Sequence, residues 1–357
     1  MLSIAEKERY NRQIILPEVG EAGQEKLKRA RVLVIGAGGL GCPVLQYLTA
    51  AGVGTIGIAD MDVVSESNLH RQILYTSADI GEPKVRTAAA KLAQQNPFVA
   101  FRVHPQGITV ENALELLQPY DVVVDGSDSF PTRYLVSDAC TILQKPLVFG
   151  AISRFEGQVS VFNYNHGPSY RCLFPAPPAA GEVLNCAEAG VLGVLPGIIG
   201  TLQANEVLKI ICGWGDVASG KLLLFDALSL SLSSFKFSRT KMADEVKVLQ
   251  PSYGVTCAVA QELTAAELKT WQAEGRQVQL LDVREPQEYE HFNIGGELVP
   301  LSKLSERMEE LQLQPEVVVH CQSGMRSKKA IGLLQARFPE VLFYNLAGGL
   351  AAWQSSA

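Results

Sequence analysis

Short apolar runs recur along the first 150 residues and are separated by segments with helical spacing. They lie at residues 32–35, 55–59, 122–124 and 147–149, with a further strand predicted at 101–103. Runs without polar alternation are typical of parallel strands that are covered on both faces. From residue 157 the chain alternates with period two, which indicates an antiparallel extension. The pattern therefore predicts an α/β fold built on a doubly wound, mixed sheet.

A second, smaller α/β unit follows the first. Residues 190–212 are predicted to form an apolar helix, and residues 221–225 the last strand of the first unit. After a stretch without strong periodicity, Thr264 and Glu267 form a capping box that opens a new helix. Strands of the second unit are predicted at 278–281, 317–320 and 341–344. We therefore expect a first domain at residues 1–240, a linker at 241–261 and a second domain at 262–357.

A glycine-rich turn follows the first predicted strand. Gly36, Gly38 and Gly41 have the spacing G-x-G-x-x-G, in which the glycines permit a tight turn, close approach of a phosphate and packing of the next helix on the strand. Asp60 ends the second strand, where an acidic side chain can bind ribose hydroxyls. A nucleotide site is therefore expected. Taken alone, this fingerprint favours a nicotinamide- or flavin-dependent oxidoreductase.

Composition narrows the classes of partner. The chain has 357 residues and a net charge of -6, so we expect no nucleic acid partner, because such proteins need a basic face. The charged N-terminus is unlike a secretory signal, and the uncharged run at 189–205 is too short to span a membrane. Seven cysteines without repeated spacing suit a reducing compartment. These features predict a cytoplasmic protein with no membrane partner.

The strand predicted at 317–320 leads to Cys321 and a short loop, and a helix is predicted to begin at Ser327. A thiolate or persulfide on Cys321 would lie among backbone N–H groups at a helix N-terminus, beside Arg326. Both features lower the pKa of a thiol. Cysteine-dependent phosphatases have five residues between their cysteine and arginine, whereas four intervene here. The shorter loop is better sized for one sulfur than for a phosphate.

Residues 262–355 resemble a rhodanese domain. The resemblance is carried by the Cys321 loop and by an upstream segment that contains Asp282, Arg284, Glu288 and His291. It implies that Cys321 takes a persulfide from a sulfur donor, such as a cysteine desulfurase or thiosulfate, and that Arg326 stabilises the anion.

Residues 7 to about 238 resemble the MoeB/ThiF family of adenylyltransferases, which are Rossmann-like enzymes related to ubiquitin-activating proteins. Five motifs occur in order: RYNRQIILPEVGEAGQEKL, the segment from GAGGLG to NLHRQ, GEPKV, DGSDSFPTRY and NCAEAGVLGVLPGIIGTLQANEVLKI. This resemblance replaces the oxidoreductase interpretation. The nucleotide contacts that it implies are Gly39, Asp60, Ser67, Asn68, Leu69, His70, Arg71, Lys84, Asp128 and Ser129. It also implies that Arg12 reaches the ATP of the other subunit of a homodimer and that Cys186 matches a family cysteine.

The resemblance implies a two-stage reaction on a ubiquitin-like sulfur carrier that ends in Gly-Gly. ATP adenylates the carrier's terminal carboxylate, with Arg12, Arg71 and Lys84 around the triphosphate and Asp128 contacting Mg²⁺. The persulfide of Cys321 then attacks the activated carbonyl, and Cys186 releases a thiocarboxylate. The pathway stays open among molybdopterin, thiamine, cysteine synthesis and tRNA thiolation.

One departure from the family concerns metal. The family commonly binds zinc through two C-x-x-C pairs, but the corresponding segments keep only Cys172 and Cys257. Two thiols cannot complete a tetrahedral zinc site, so we predict no zinc. The two cysteines are expected to be neighbours or a disulfide.

Three alternatives to the two-stage reaction remain open. They are an adenylyltransferase with a vestigial rhodanese domain, a nucleotide-dependent oxidoreductase and a non-catalytic scaffold that docks ubiquitin-like proteins.

Overall fold

A computed structural model describes residues 1–177, 190–253, 261–338 and 340–355. The chain divides into two units, Met1–Tyr253 and Gly254–Ala357. Each unit is organised around a β-sheet of its own.

The sheet of the first unit has eight strands in the order β3-β2-β1-β4-β5-β6-β7-β8. Strands β3 to β5 of this order are parallel, whereas β6, β7 and β8 are added antiparallel. The strands are β1 Arg31–Ile35, β2 Thr55–Ala59, β3 Ala100–His104, β4 Val122–Asp125, β5 Leu147–Ser153, β6 Glu156–Phe162, β7 Lys221–Asp226 and β8 Ser231–Lys236. The α-helices of this unit are Ile4–Arg9, Asn11–Ile14, Gly20–Arg29, Gly41–Ala51, Lys84–Gln95, Ala113–Leu117, Phe130–Ile142, Tyr170–Leu173, Leu195–Cys212 and Met242–Glu245. The predicted fold class is confirmed.

Strand β1 is buried on both faces, as its uninterrupted apolar sequence predicts. Val32 and Val34 belong to one apolar cluster, whereas Leu33 and Ile35 belong to another. Strand β1 lies between β2 and β4, where the strand order reverses. In open α/β sheets, ligands bind beyond the carboxyl ends of the strands at such a reversal. The topology therefore places a binding crevice at the glycine-rich turn.

The second unit has a parallel five-stranded sheet in the order β11-β10-β12-β13-β9. Its strands are β9 Gln261–Leu263, β10 Gln279–Asp282, β11 Glu297–Leu298, β12 Glu316–His320 and β13 Leu342–Leu346. Its α-helices are Ala265–Ala273, Pro286–His291, Leu304–Arg307, Met325–Arg337 and Gly349–Ser355. The capping box predicted at Thr264 and Glu267 is present, with each residue bonding the other's backbone N–H.

Several predicted boundaries were wrong. The apolar helix begins at Leu195 and not at residue 190, because Val191 instead forms a β-bridge with Arg154. The helix after Cys321 begins at Met325 rather than Ser327. Strand β8 follows the strand that was predicted to be last, and β9 and β11 add to the three strands predicted for the second unit. Edge strands of this kind carry little apolar signal because much of their surface faces solvent; every residue of β8 is exposed.

Within the described residues, we find no helix that combines the length and apolarity needed to cross a membrane.

Candidate active sites

Three glycines shape the turn between β1 and the helix Gly41–Ala51. Gly36 has a φ of +90°, which L side chains rarely adopt. A Cβ on Gly41 would lie 2.0 Å from the Gly36 carbonyl oxygen, so only glycine allows the helix to approach the strand. A Cβ on Gly38 would meet nothing nearer than Gln72 Nε2 at 3.5 Å, and Gly38 borders a cavity. Gly36 and Gly41 therefore serve the fold, whereas Gly38 leaves room for a ligand.

Asp60 at the end of β2 is tied to this turn. Its Oδ2 accepts from the backbone N–H of Ala37 at 2.7 Å, and its Oδ1 accepts from that of Asp62 at 2.8 Å. Burial raises the pKa of Asp60, although Lys84 and the two backbone hydrogen bonds act in the opposite direction. The carboxylate thus holds the turn in shape and also lines the cavity.

The cavity lies beyond the carboxyl ends of β1, β2 and β4 and has a volume of about 440 Å³. Seven of the residues predicted to contact the nucleotide line it: Gly39, Asp60, Asn68, Arg71, Lys84, Asp128 and Ser129. They come from loops that are distant in sequence and meet only because the strands before them are neighbours in the sheet.

Two cations in the cavity wall are held in place by neighbours. Lys84 is only 3% exposed, and its Nζ donates to Asp62 Oδ2 at 2.7 Å. The guanidinium of Arg71 donates to Asn68 Oδ1 at 2.9 Å and to the carbonyl oxygen of Ser67 at 3.1 Å. This geometry can hold the negative charge of a triphosphate without first ordering flexible side chains.

Four other predicted residues are not among those that line the cavity. Ser67 supports Arg71 through its carbonyl group, Leu69 packs against the apolar core, and His70 places its Nε2 3.3 Å from Arg71 Nη1. Arg12 is exposed on the helix Asn11–Ile14. Ser67, Leu69 and His70 therefore shape the loop that carries Arg71.

Sequence reasoning missed Arg133 as a cavity residue. It is 8% exposed, donates to the carbonyl oxygen of Ser127 at 3.3 Å and has its guanidinium carbon 5.5 Å from the centre of the Phe149 ring. Asp125 is also buried and accepts from the Ser127 hydroxyl at 2.6 Å; burial raises the pKa of this carboxyl. The available signal was the position of Arg133 in the first turn of the helix that follows β4.

In the second unit, Cys321 lies at the end of β12 and is fully buried. Its Sγ accepts from the backbone N–H of Ser327 at 3.4 Å and lies 3.4 Å from the Ser327 hydroxyl. Burial raises the pKa of the thiol, but hydrogen bonds within the loop, including those from the backbone N–H groups of Ser327, Ser323 and Gly324, outweigh burial, so the net pKa is lowered. The loop therefore favours a thiolate, as expected for a nucleophile or sulfur carrier.

Arg326 lies beside this loop and forms a bidentate ion pair with Glu288. Its two terminal nitrogens donate to the Glu288 oxygens at 2.7 and 2.6 Å. The pKa of Glu288 is lowered to about 2, chiefly by the hydrogen bond from Arg326. Asp282 and Arg284 form a second, fully buried pair at 2.7 Å, whereas His291 is exposed. Of the four upstream residues, Glu288 therefore contacts Arg326 directly, whereas Asp282 and Arg284 pair with each other.

Two predicted cysteines, Cys186 and Cys257, lie outside the described residues. Cys172 is partly buried, and its Sγ accepts from the backbone N–H of Thr240 at 3.3 Å. Burial raises the pKa of Cys172, but hydrogen bonds from Ser169 and Thr240 give a net lowering. No group of three or more potential metal ligands occurs in the part of the chain that the structure describes. The absence of zinc stays a prediction.

Fold and cavity together are those of a doubly wound α/β protein with a ligand-sized site at its glycine-rich turn. The chain belongs to the ThiF family, whose model matches residues 10–246. A model of the rhodanese-like domain matches residues 264–356, so both predicted resemblances are confirmed.

Named relatives cover one or both domains. A sulfur carrier protein adenylyltransferase of Thermus thermophilus is 58% identical over 239 residues, which are 66% of this chain and 88% of that protein. A probable adenylyltransferase/sulfurtransferase MoeZ of Mycobacterium tuberculosis is 40% identical over 99% of this chain and 94% of its own length. The adenylyltransferase and sulfurtransferase MOCS3 of Anopheles gambiae is 43% identical over 97% of this chain and 86% of its own.

Among solved structures, E. coli MccB with ATP has a TM-score of 0.59 at 20% identity, covering 65% of this chain and 72% of that one, which supports the fold alone. The full-length relatives confirm the predicted enzyme classes: the chain is an adenylyltransferase and sulfurtransferase. Neither an oxidoreductase nor a purely adenylylating enzyme is favoured.

Proposed function

We propose that this enzyme uses ATP to adenylate the C-terminal glycine of a ubiquitin-like sulfur carrier and then delivers sulfur from Cys321 to form a thiocarboxylate. The adenylation step is supported by the cavity of about 440 Å³, in which Gly38 leaves space for a ligand. The buried Lys84 and Arg71, which is hydrogen-bonded to Asn68, line the same cavity. The name of the Thermus thermophilus relative supports the choice of a sulfur carrier as substrate.

In the first half-reaction, a carboxylate oxygen of the carrier attacks the α-phosphorus of ATP, and the bond to pyrophosphate breaks. Lys84 and Arg71 hold the phosphate oxygens, and this fixed positive charge stabilises the transition state, in which negative charge is spread over those oxygens. Asp60 orients the ribose side of the nucleotide. The product is a mixed anhydride between the carrier and AMP.

Mg²⁺ fits this arrangement through Asp128. The Asp128 side chain is exposed and lines the cavity. Proteins usually bind magnesium through one or two carboxylates together with substrate phosphates and water. A bound Mg²⁺ would supply charge neutralisation on the departing pyrophosphate. Asp128 would therefore be the carboxylate that holds the metal.

In the second half-reaction, the terminal sulfur of a Cys321 persulfide attacks the carrier's carbonyl carbon, and AMP leaves. The resulting acyl disulfide is opened by a second thiolate, which bonds to the Cys321 sulfur and releases the thiocarboxylate. We assign that thiolate to Cys186, which matches a family cysteine, and an external thiol then reduces the Cys186–Cys321 disulfide. The sulfur donor is a cysteine desulfurase or thiosulfate.

The remaining assignments belong to the same proposal. The enzyme is a cytoplasmic homodimer in which Arg12 of each subunit contacts the ATP of the other. Arg12 is exposed and is not among the residues that line the cavity of its own subunit, which suits this role. The carrier serves one of four pathways: molybdopterin synthesis, thiamine synthesis, cysteine synthesis or tRNA thiolation.

The test combines two readouts on the purified chain with candidate Gly-Gly-ended carriers. Exchange of labelled pyrophosphate into ATP reports the adenylate, and mass spectrometry of the carrier reports the thiocarboxylate. We expect exchange to require a carrier. The proposal is wrong if the enzyme consumes no ATP with any Gly-Gly-ended protein of its own cell.

A further inference from the structure

Two buried polar side chains form a hydrogen-bonded pair next to the sulfur of Cys321. Ser327 and Asn345 both have zero exposure. The Ser327 hydroxyl, which lies 3.4 Å from Cys321 Sγ, donates to Asn345 Oδ1 at 2.6 Å. Asn345 Nδ2 in turn donates to Glu262 Oε2 at 3.0 Å. A chain of hydrogen bonds therefore runs from the sulfur to a carboxylate at the surface.

Glu262, at the surface end of this series of hydrogen bonds, determines which group is the donor in each of them. Glu262 also accepts from Lys328, with an ion-pair distance of 2.7 Å. Partial burial raises the pKa of Glu262, but the hydrogen bonds from Lys328 and Asn345 lower it overall, so the group is ionised and can only accept. The Asn345 amide must therefore point its NH₂ group at Glu262 and its oxygen at Ser327. That oxygen is also only an acceptor.

We propose that Asn345 is a positioning residue that holds the hydroxyl proton of Ser327 away from the sulfur of Cys321. Since a serine hydroxyl has one proton, the hydroxyl offers the sulfur only lone pairs, and these favour the thiol form. Backbone N–H groups of the loop are left as the donors that stabilise the thiolate.

This arrangement deepens the proposed role of Cys321 as the sulfur-bearing residue and rests on that role. A thiolate of lower pKa forms more readily but is intrinsically less nucleophilic. A loop with every donor aimed at the sulfur would stabilise the anion further and weaken its attack. Asn345 withholds one donor and so keeps the sulfur more basic than the loop alone would.

Other charged and titratable groups also face this loop. Arg326 and Lys328 belong to the helix that follows the loop, and Glu285 and Glu288 act on Arg326. Glu262 accepts from Asn345 and pairs with Lys328, and His320 precedes Cys321 in the chain. Glu288 has a pKa of about 2 and the buried His320 has one of about 4. Both therefore keep a constant charge above about pH 6. Alkylation of Cys321 measured there reports the thiol itself.

The test measures the pH midpoint of iodoacetamide alkylation on the Cys321 peptide of the full-length chain by mass spectrometry. Asn345→Leu removes the acceptor and lets the hydroxyl turn towards the sulfur, so we expect the midpoint to fall by about one pH unit. Asn345→Asp keeps an acceptor and adds negative charge, so the midpoint should rise. General disturbance of the loop would shift both variants in the same direction.

A milder variant guards against misfolding of the core substitutions. Glu262→Gln at the surface can donate to the Asn345 oxygen, which allows the amide to turn and the hydroxyl to face the sulfur, so the midpoint should again fall.

Ser327→Ala is the matched control, because neither Asn345→Leu nor Glu262→Gln should lower the midpoint when the hydroxyl is absent. A shift of equal size in the Ser327→Ala background, or no shift in Asn345→Leu with a native melting curve, would overturn the proposal. Alkylation does not require Cys321 to carry sulfur. A failure of sulfur transfer alone would therefore count against the proposed function and not against this inference.

Discussion

Replacing single glycines in the turn after β1 separates folding from nucleotide binding. A Cβ on Gly41 would lie 2.0 Å from a backbone oxygen, so strand and helix must move apart in Gly41→Ala. Overpacking of this kind typically costs about 1–3 kcal/mol. A Cβ on Gly38 has 3.5 Å of clearance, and the φ of Gly38 is outside the left-handed range. The free energy of unfolding of Gly38→Ala should therefore stay within about 0.5 kcal/mol of the wild-type value.

Gly38→Ala should weaken nucleotide binding although it leaves stability nearly unchanged. The added methyl group occupies the space that a phosphate needs to reach the backbone. Losing one hydrogen bond to a charged group costs about 1.5–3 kcal/mol, which corresponds to a rise of roughly 10- to 150-fold in the KM for ATP. Denaturant unfolding and pyrophosphate exchange on the same preparations measure both quantities. Wild-type exchange in Gly38→Ala, or equal destabilisation of the two variants, would refute the assignment of roles to these glycines.

Four further predictions concern single side chains. Asp128→Ala should abolish carrier-dependent pyrophosphate exchange because it removes the carboxylate at the mouth of the cavity; unaltered exchange would remove Asp128 from the mechanism. Lys84→Met should reduce exchange by at least about tenfold while Lys84→Arg retains part of it, since a buried positive charge is required and its packing is secondary; equal activity of the two variants would contradict this. Cys321→Ala should leave exchange intact and stop thiocarboxylate formation, and a joint loss would show that the two chemistries are not divided between two sites. Burial lowers the pKa of His320 to about 4, so the unfolded chain binds a proton near pH 6.5 that the folded chain does not; the stability of the second unit should be complete above that pH and fall by up to about 3 kcal/mol as the pH drops towards 4. Urea unfolding of His320→Leu should lack this dependence, and a wild-type slope in that variant would exclude His320 as its source.

Most of the features that the sequence alone determined are local ones. The tight turn at Gly36, the uninterrupted apolar run of β1, the capping box at Thr264 and the loop after Cys321 each depend on residues within one turn or strand. Their geometry follows from φ preferences, periodicity and short-range hydrogen bonding, so residue order is enough to predict them. The recognised motifs then identified seven of the residues that line the cavity, each within one of those motif segments.

Only the tertiary structure decided how residues from separate segments combine. Arg133 borders the cavity of the first unit because β4 lies beside β1, and a first-turn arginine has no distinguishing signal in the sequence. Asn345 reaches Ser327 because β13 pairs with β12 and with β9, which also brings Glu262 to the amide. Such contacts depend on which strands are neighbours and on the burial that fixes each polar group's partner. Neither property is encoded in the spacing of residues along one segment.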